Sequence, residues 1–194
     1  MNIVACTDIH ENITVLTSVR KLAEKADIVV CCGDFTIGER NIQAMLSKFE
    51  KFPVPVLLIH GNHEAEEDVR LLCKKLKNVI FIHKTIVRFQ EVTFVGWGGG
   101  GFSRRDREFE RWWQSQDIDL PVVLVTHAPA FGTKLDALHK GHVGCTSFTE
   151  FIAEVQPTLA LSGHIEENNG KSDVLGLTKV SNPGPKGKMY KILV

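Results

Sequence analysis

The stretch Pro55-Val56-Leu57-Leu58-Ile59-His60-Gly61-Asn62-His63-Glu64 decides the reading of this chain. It begins as a short apolar run rich in Leu and β-branched residues, the pattern of a buried strand. It breaks at Gly61 and then presents an amide, an imidazole and a carboxylate in succession, before a helical pattern starts. Asn62 offers an uncharged oxygen suited to a hard metal, and His63 a nitrogen that can bind metal or move a proton. Polar groups that follow a buried strand without a spacer sit at its C-terminal edge, where open α/β sheets place their ligands. Taken alone, the stretch reads equally well as a turn whose Asn caps the next helix.

The same design recurs along the chain. Residues 2–7 form a strand-like run ending in Asp8-Ile9-His10. Two positions apart on an extended chain, Asp8 and His10 point to one side and can reach one ion together. Val15, Val19, Leu22 and Ala26 then carry the spacing of a buried helical face. A second strand, Asp27–Cys32, ends in Gly33-Asp34, and a helix follows with Ile42, Met45, Leu46 and Phe49 on one face. After the opening stretch, Val69, Leu72, Cys73 and Leu76 repeat the helical spacing. These βα units predict a mostly parallel sheet with helices on it.

The middle and end of the chain change character. Thr85–Phe89 and Val92–Trp97 flank Gln90-Glu91 as an antiparallel hairpin. Gly98–Gly101 is a flexible loop ahead of Phe102, Arg104 and Arg105, and the two arginines are candidates to hold an anionic substrate. Phe109, Trp112 and Trp113 mark a helix with an aromatic core stripe. The strand Pro121–Thr126 ends in His127. Residues 130–144 read as a long loop bearing His139 and His142, and long loops in compact domains are often functional. His142 is a candidate substrate contact. Ser147 and Glu150 form a capping-box pattern for a helix carrying Phe148, Phe151, Ile152 and Val155. The strand Thr158–Ser162 ends in Gly163-His164-Ile165-Glu166, and two strand-like runs, Val174–Ser181 and Lys188–Val194, close the chain.

Composition narrows the class. The chain has 194 residues, 43% hydrophobic and 24% charged, which suits one substantial core and a single domain. A net charge of +0 gives no bulk attraction for nucleic acid or anionic membrane. The N-terminus lacks the basic region of a signal peptide, and no run approaches a membrane span. There are five cysteines, an odd count, without a C-x-x-C pair, so neither a disulfide scaffold nor a thiolate zinc site is indicated. A reduced, cytoplasmic protein is expected.

Five buried strands thus end in metal-capable side chains: Asp8 with His10, Asp34, Asn62 with His63, His127, and His164 with Glu166. A turn or cap role explains any one of them, but not imidazole and carboxylate at all five. The donors mix nitrogen and oxygen without thiolate, which suits Mn, Fe, Ni or Zn better than Ca. Seven or eight ligands are too many for one such ion and about right for two.

In this order, the motifs Asp8-x-His10, Gly33-Asp34, Gly61-Asn62-His63-Glu64, Thr126-His127 and Gly163-His164-x-Glu166 resemble the calcineurin-like metallophosphoesterases over essentially the whole chain. The resemblance implies an α/β fold, a double-layered β-sandwich of mixed sheets flanked by helices, as one catalytic domain over residues 1–194. It implies two divalent metal ions. Asp8, His10 and Asp34 would hold the first, and Asp34, Asn62, His127 and His164 the second, with Asp34 bridging. It implies a metal-bridging hydroxide that attacks phosphorus, while His63 is not a ligand but assists the leaving oxygen.

The family's last motif usually reads Gly-His-x-His, and here its final position is Glu166. A carboxylate there makes the first site harder and favours Mn or Fe(II) over Zn. The expected activity is a metal-dependent phosphoesterase, preferentially a phosphodiesterase, on a small phosphorylated substrate. The alternative is a scaffold or binding module with this fold and an impaired metal site.

Overall fold

The computed structural model describes residues 1–193. Two sheets lie face to face. The first has the order β13 (Lys188–Lys191), β1 (Asn2–Cys6), β2 (Ile28–Cys31), β3 (Val56–Leu58) and β4 (Val79–Phe81). Only the β1–β13 pairing is antiparallel. The second has the order β11 (Ser172–Leu175), β12 (Thr178–Ser181), β10 (Leu159–Leu161), β7 (Val122–Thr126), β6 (Val92–Trp97) and β5 (Thr85–Phe89).

The central strands are apolar throughout because both of their faces are covered. Successive side chains on a strand point to opposite faces. In the first sheet, Val4, Cys6, Val29, Cys31, Val56 and Leu58 face the helices α1 (Ile13–Ala23), α2 (Ile42–Phe49) and α3 (Glu66–Cys73). Their neighbours Ile3, Ala5, Ile28, Val30, Leu57 and Ile59 face the second sheet. There, Phe94, Val123, Val125, Leu159 and Leu161 complete the inter-sheet core. Val95, Trp97, Val122 and Leu124 turn outward onto α4 (Arg107–Trp113) and α5 (Thr146–Val155). This is the expected double-layered sandwich. All five cysteines are buried free thiols.

Four local expectations change. The later strands, read as a change of character from the βα units, are largely parallel: β6–β7 and β7–β10 cross over through α4 and α5, and β10–β12 through the 3-10 turn and β11. The run Val174–Ser181 is itself the hairpin β11–β12, turning at Gly176 with φ +61°. Residues 130–144 contain a short hairpin, β8 (Ala137–Leu138) against β9 (Gly141–His142). Ser147 does not cap α5. Cys145 stands at the N-cap, and the Ser147 hydroxyl donates to Glu110 and accepts from the Asp106 N–H, so a tertiary partner outcompetes the local capping box.

Candidate metal centre

The strand ends converge at one edge of the sandwich. Asp8 and His10 follow β1, Asp34 follows β2, Asn62 and His63 follow β3, His127 follows β7 and His164 follows β10. Several of these turns are sharp enough to force a left-handed backbone: φ is +52° at Asp8, +47° at His10, +50° at Asp34 and +68° at His164. Such residues each cost on the order of 1–3 kcal/mol, and that strain persists where the surroundings impose it. The imposing contacts are close. A Cβ at Gly33, itself at φ +93°, would lie 2.6 Å from the Gly61 nitrogen and 2.9 Å from His127 Nδ1. Only glycine lets the two loops meet.

The ligand-capable atoms form two groups that share Asp34. Asp34, His127 and His164 make one, and His10, Asp34 and His63 the other, with ligand atoms within 4.8 Å of one another in each. The first group joins the two sheets. His127 is fully buried; its Nδ1 lies 2.8 Å from the Cys32 carbonyl, which assigns the proton to Nδ1. Its Nε2 lone pair then faces Asn62 Oδ1 at 3.0 Å and Asp34 Oδ2 at 3.3 Å. Burial opposes a charge on His127, yet Asp34 and Asp8 outweigh it and raise its pKa. Asp34 responds in kind: burial works to raise its pKa, but His127 and the His63 N–H bring it below the usual carboxylate range. His164 Nε2 is buried without a hydrogen-bond partner, and burial holds its imidazole neutral down to about 4.

The second group is more open. His10 Nδ1 lies 3.1 Å from the Thr36 carbonyl, so its Nε2 is the free lone pair, 3.3 Å from Glu166 Oε1. His63 is wired the opposite way. Its Nδ1 accepts the Gly38 N–H at 3.0 Å, so Nε2 carries the proton, 4.0 Å from Asp34 Oδ2. A nitrogen that carries its proton is a donor and not a metal ligand. Asp8, expected with His10 and Asp34, stands outside both groups; it accepts the His164 N–H at 3.1 and 3.2 Å, with lone pairs left on both oxygens. Burial raises its pKa, partly offset by His127.

Lone pairs of His10, His127, Asn62 and Asp34, with an unpartnered His164 nitrogen, point at one another with no hydrogen between most of them. That donor set fits a divalent cation, and carbonyl-anchored imidazoles are the usual second contact of metal-binding histidines.

Glu64 has a task that the sequence motif alone left unassigned. Its buried carboxylate accepts from the N–H groups of Asp34 (3.0 Å), Thr36 (2.8 Å) and Gly61 (2.8 Å) and from the Thr36 hydroxyl (2.7 Å). It clamps the β2 and β3 loops together. No local pattern reports this, since three of the four donors lie about thirty positions upstream.

The remaining candidates lie on two flanking loops. Arg105 is committed to Glu110 at 2.7 Å and Glu150 at 3.5 Å. Arg104 lies over the Phe131 ring at 3.7 Å and donates to the His142 carbonyl. His142 Nδ1 is 2.8 Å from the buried carboxylate of Asp136. Phe102, two residues before Arg104, packs edge-on against His164 at 4.5 Å.

A third group, His60, Glu66 and His83, also has the composition of a metal site. Its wiring argues otherwise. His83 Nδ1 accepts the Gly98 N–H at 2.7 Å, so its Nε2–H donates to Glu66 at 3.2 Å and has no lone pair to give. Burial holds His60 down to about 4 and His83 to about 3, so the Glu66 contact is a hydrogen bond from a neutral ring.

A two-sheet sandwich with imidazole and carboxylate donors gathered at its strand ends is the architecture of a metal-dependent phosphoester enzyme class. The chain belongs to the calcineurin-like phosphoesterase family, whose model matches residues 1–167. It is 28% identical over 201 residues to the uncharacterized protein MJ1162 of Methanocaldococcus jannaschii, covering 96% of this chain and 89% of that one. The fold is similar to that of TT1561 of Thermus thermophilus (TM-score 0.74, 16% identity, 94% of this chain and 88% of that one). It is also similar to a structure described as a novel archaeal phosphodiesterase (TM-score 0.57, 16% identity, 95% and 84%). No helix among the described residues is long and apolar enough to cross a membrane.

Proposed function

We propose that this chain is a single-domain phosphodiesterase that works with two divalent metal ions. The observation that carries the reading is the His127–His164 pair: the His127 Nε2 meets Asn62 Oδ1 and Asp34 Oδ2, contacts that a proton or a metal ion satisfies, while the His164 Nε2 beside it is buried with no hydrogen-bond partner, and one metal ion serves both rings. His127, His164, Asn62 and Asp34 would hold one ion. Asp34, Asp8, His10 and Glu166 would hold the other. When bound, such ions lower the pKa of a water and neutralise phosphoryl oxygens.

The chain's own contribution is proton placement and charge. His63 Nε2–H, fixed by the Gly38 N–H on the other nitrogen, points into the site and donates to the leaving oxygen. The carboxylates Asp34 and Glu166 pair only with histidines among the described residues. A site without lysine or arginine on its carboxylates matches a singly charged diester better than a doubly charged monoester. Mn or Fe(II) suits the carboxylate-rich site of Asp8, His10, Asp34 and Glu166. The half-exposed His63 and His10 leave the site accessible to a substituted phosphate.

The exposure of Glu166, 65% at its side chain, favours a second reading, in which the outer ion is not retained and the chain serves as a scaffold. Hydrolysis of bis(p-nitrophenyl) phosphate and p-nitrophenyl phosphate, after chelation and re-addition of Mn, Fe(II), Ni, Zn or Mg, separates them. The proposal expects metal-dependent turnover that favours the diester. Folded protein inactive with every ion would leave the scaffold reading.

A further inference from the structure

A groove of about 640 Å³ runs between the Ala137–His142 hairpin and the turn that carries Glu166. Ala137, Leu138 and Val143 line its hairpin wall, and Glu167 and Lys171 its far wall, with Lys140 at the rim. Its position matters. Glu167 follows Glu166 directly, one Cα step of about 3.8 Å, and Glu166 is 3.3 Å from His10. The groove wall and the outer half of the candidate metal centre therefore share one 3-10 turn, Glu166–Asn168. We propose that it binds the ester substituent of the substrate, and that this substituent is an apolar chain ending in an anionic group. The proposal rests on the phosphodiesterase reading above.

The walls are built rather than incidental. Asp136 is fully buried and accepts from the N–H groups of Gly132, Thr133 and Gly144 and from His142 Nδ1. It holds the base of the hairpin rigid. Asn168, 1% exposed, donates from Nδ2 to the carbonyls of Leu135 (2.8 Å) and Ala137 (3.2 Å). One buried amide thus ties the hairpin to the turn of Glu166. From the other side, Arg104 holds the His142 carbonyl at 3.2 Å. A pre-formed wall lowers the ordering cost of binding.

Size and charge identify the occupant. The groove falls within the roughly 300–1,000 Å³ of small-molecule sites, far more than a phosphate needs. Its hairpin wall, Ala137, Leu138 and Val143, is apolar, which suits a hydrocarbon stem and not a sugar. Lys140, Lys171 and the imidazole of His139 stand against the single carboxylate of Glu167. Lys171 Nζ donates to Asn168 Oδ1 at 2.6 Å and keeps two further N–H donors for an anion.

The test compares four p-nitrophenyl phosphodiesters on the metal-reconstituted protein. Their other substituents are methyl, hexyl, a six-carbon chain ending in carboxylate, and the same chain ending in phosphate. The proposal expects kcat/KM for a charged-chain ester to exceed that for the methyl ester at least tenfold, through KM, with hexyl between them. The better of the two charged ends identifies the anion. Leu138→Asp and Lys171→Met should each reduce the charged-chain to methyl ratio about tenfold, while Leu177→Asp on the distant β11–β12 turn leaves it unchanged. Equal rates for methyl and chain esters, or a preference that survives both groove variants, would overturn the proposal. If no ester is hydrolysed with any ion, the phosphodiesterase reading fails. The groove is then judged by calorimetric binding of the carboxyhexyl phosphate: weakening by Leu138→Asp and Lys171→Met supports it, and identical or absent binding overturns it.

Discussion

The two halves of the candidate metal centre share Asp34 and little else. The inner half, Asp34 with His127 and His164, draws its residues from both sheets and is wired across the inter-sheet core, His127 to the Cys32 carbonyl and the His164 N–H to Asp8. The outer half, Asp8 with His10 and Glu166, hangs from one sheet and a single 3-10 turn; Asp8 is buried, but the side chains of His10 and Glu166 are 23% and 65% exposed. Donors fixed by packing on two sides are held in place before a metal arrives. Donors on a rim must be gathered by it. The inner half should therefore bind first and tightly, and the outer half should set the metal dependence of activity.

The severest way to break this comparison is to remove what the halves share. Asp34→Asn should abolish retention of both ions and reduce turnover by roughly 10³-fold or more, since several kcal/mol of charge stabilisation go with the metals; metal content after desalting and diester hydrolysis read it out. Next is His63→Asn. If the Nε2–H is a proton donor and not a ligand, metal content stays at the wild-type level while turnover of a poor leaving group falls about 10²–10⁴-fold. Parallel loss of metal would place His63 among the ligands instead.

Glu166 sharpens the contrast between halves. Glu166→Ala should raise the Mn concentration for half-maximal activity about tenfold without changing the tightly held ion, and Glu166→His should shift the outer preference toward Zn. An unchanged Mn requirement would mean that Glu166 is a bystander.

The smallest effect lies outside both halves. Burial keeps His83 neutral down to about 3 and His60 down to about 4, against about 6.5 when unfolded. Between those values the unfolded chain binds more protons, so stability is fully present above about pH 6.5 and declines as pH falls. Each group contributes at most about 1.4 kcal/mol per pH unit. Thermal unfolding of His83→Gln should show a shallower acid decline than wild type. Identical slopes would show that His83 is not held neutral by the fold.

The donors and the contacts that organise them were not equally legible in the sequence. The sandwich and the strand-end donors could be read because strands buried on both faces stay apolar to their last residue, which leaves Asp8, Asp34, Asn62 and His127 conspicuous where each run stops. The pairings that organise them could not. Glu64 reaches back to Asp34 and Thr36, and Ser147 leaves its expected cap for Glu110, because long-range partners win over local pattern. The groove hairpin, two residues per strand, is too short to carry an alternation. Arg105, a plausible anion contact from its place after the glycine loop, is engaged by Glu110 and Glu150.

The most direct test of unequal halves is a stepwise Mn titration of chelated protein, following bound metal and diester turnover together. The first equivalent should bind tightly with little turnover, and activity should rise with the second, weaker equivalent. Full activity at one equivalent, with no gain from a second, would contradict this order.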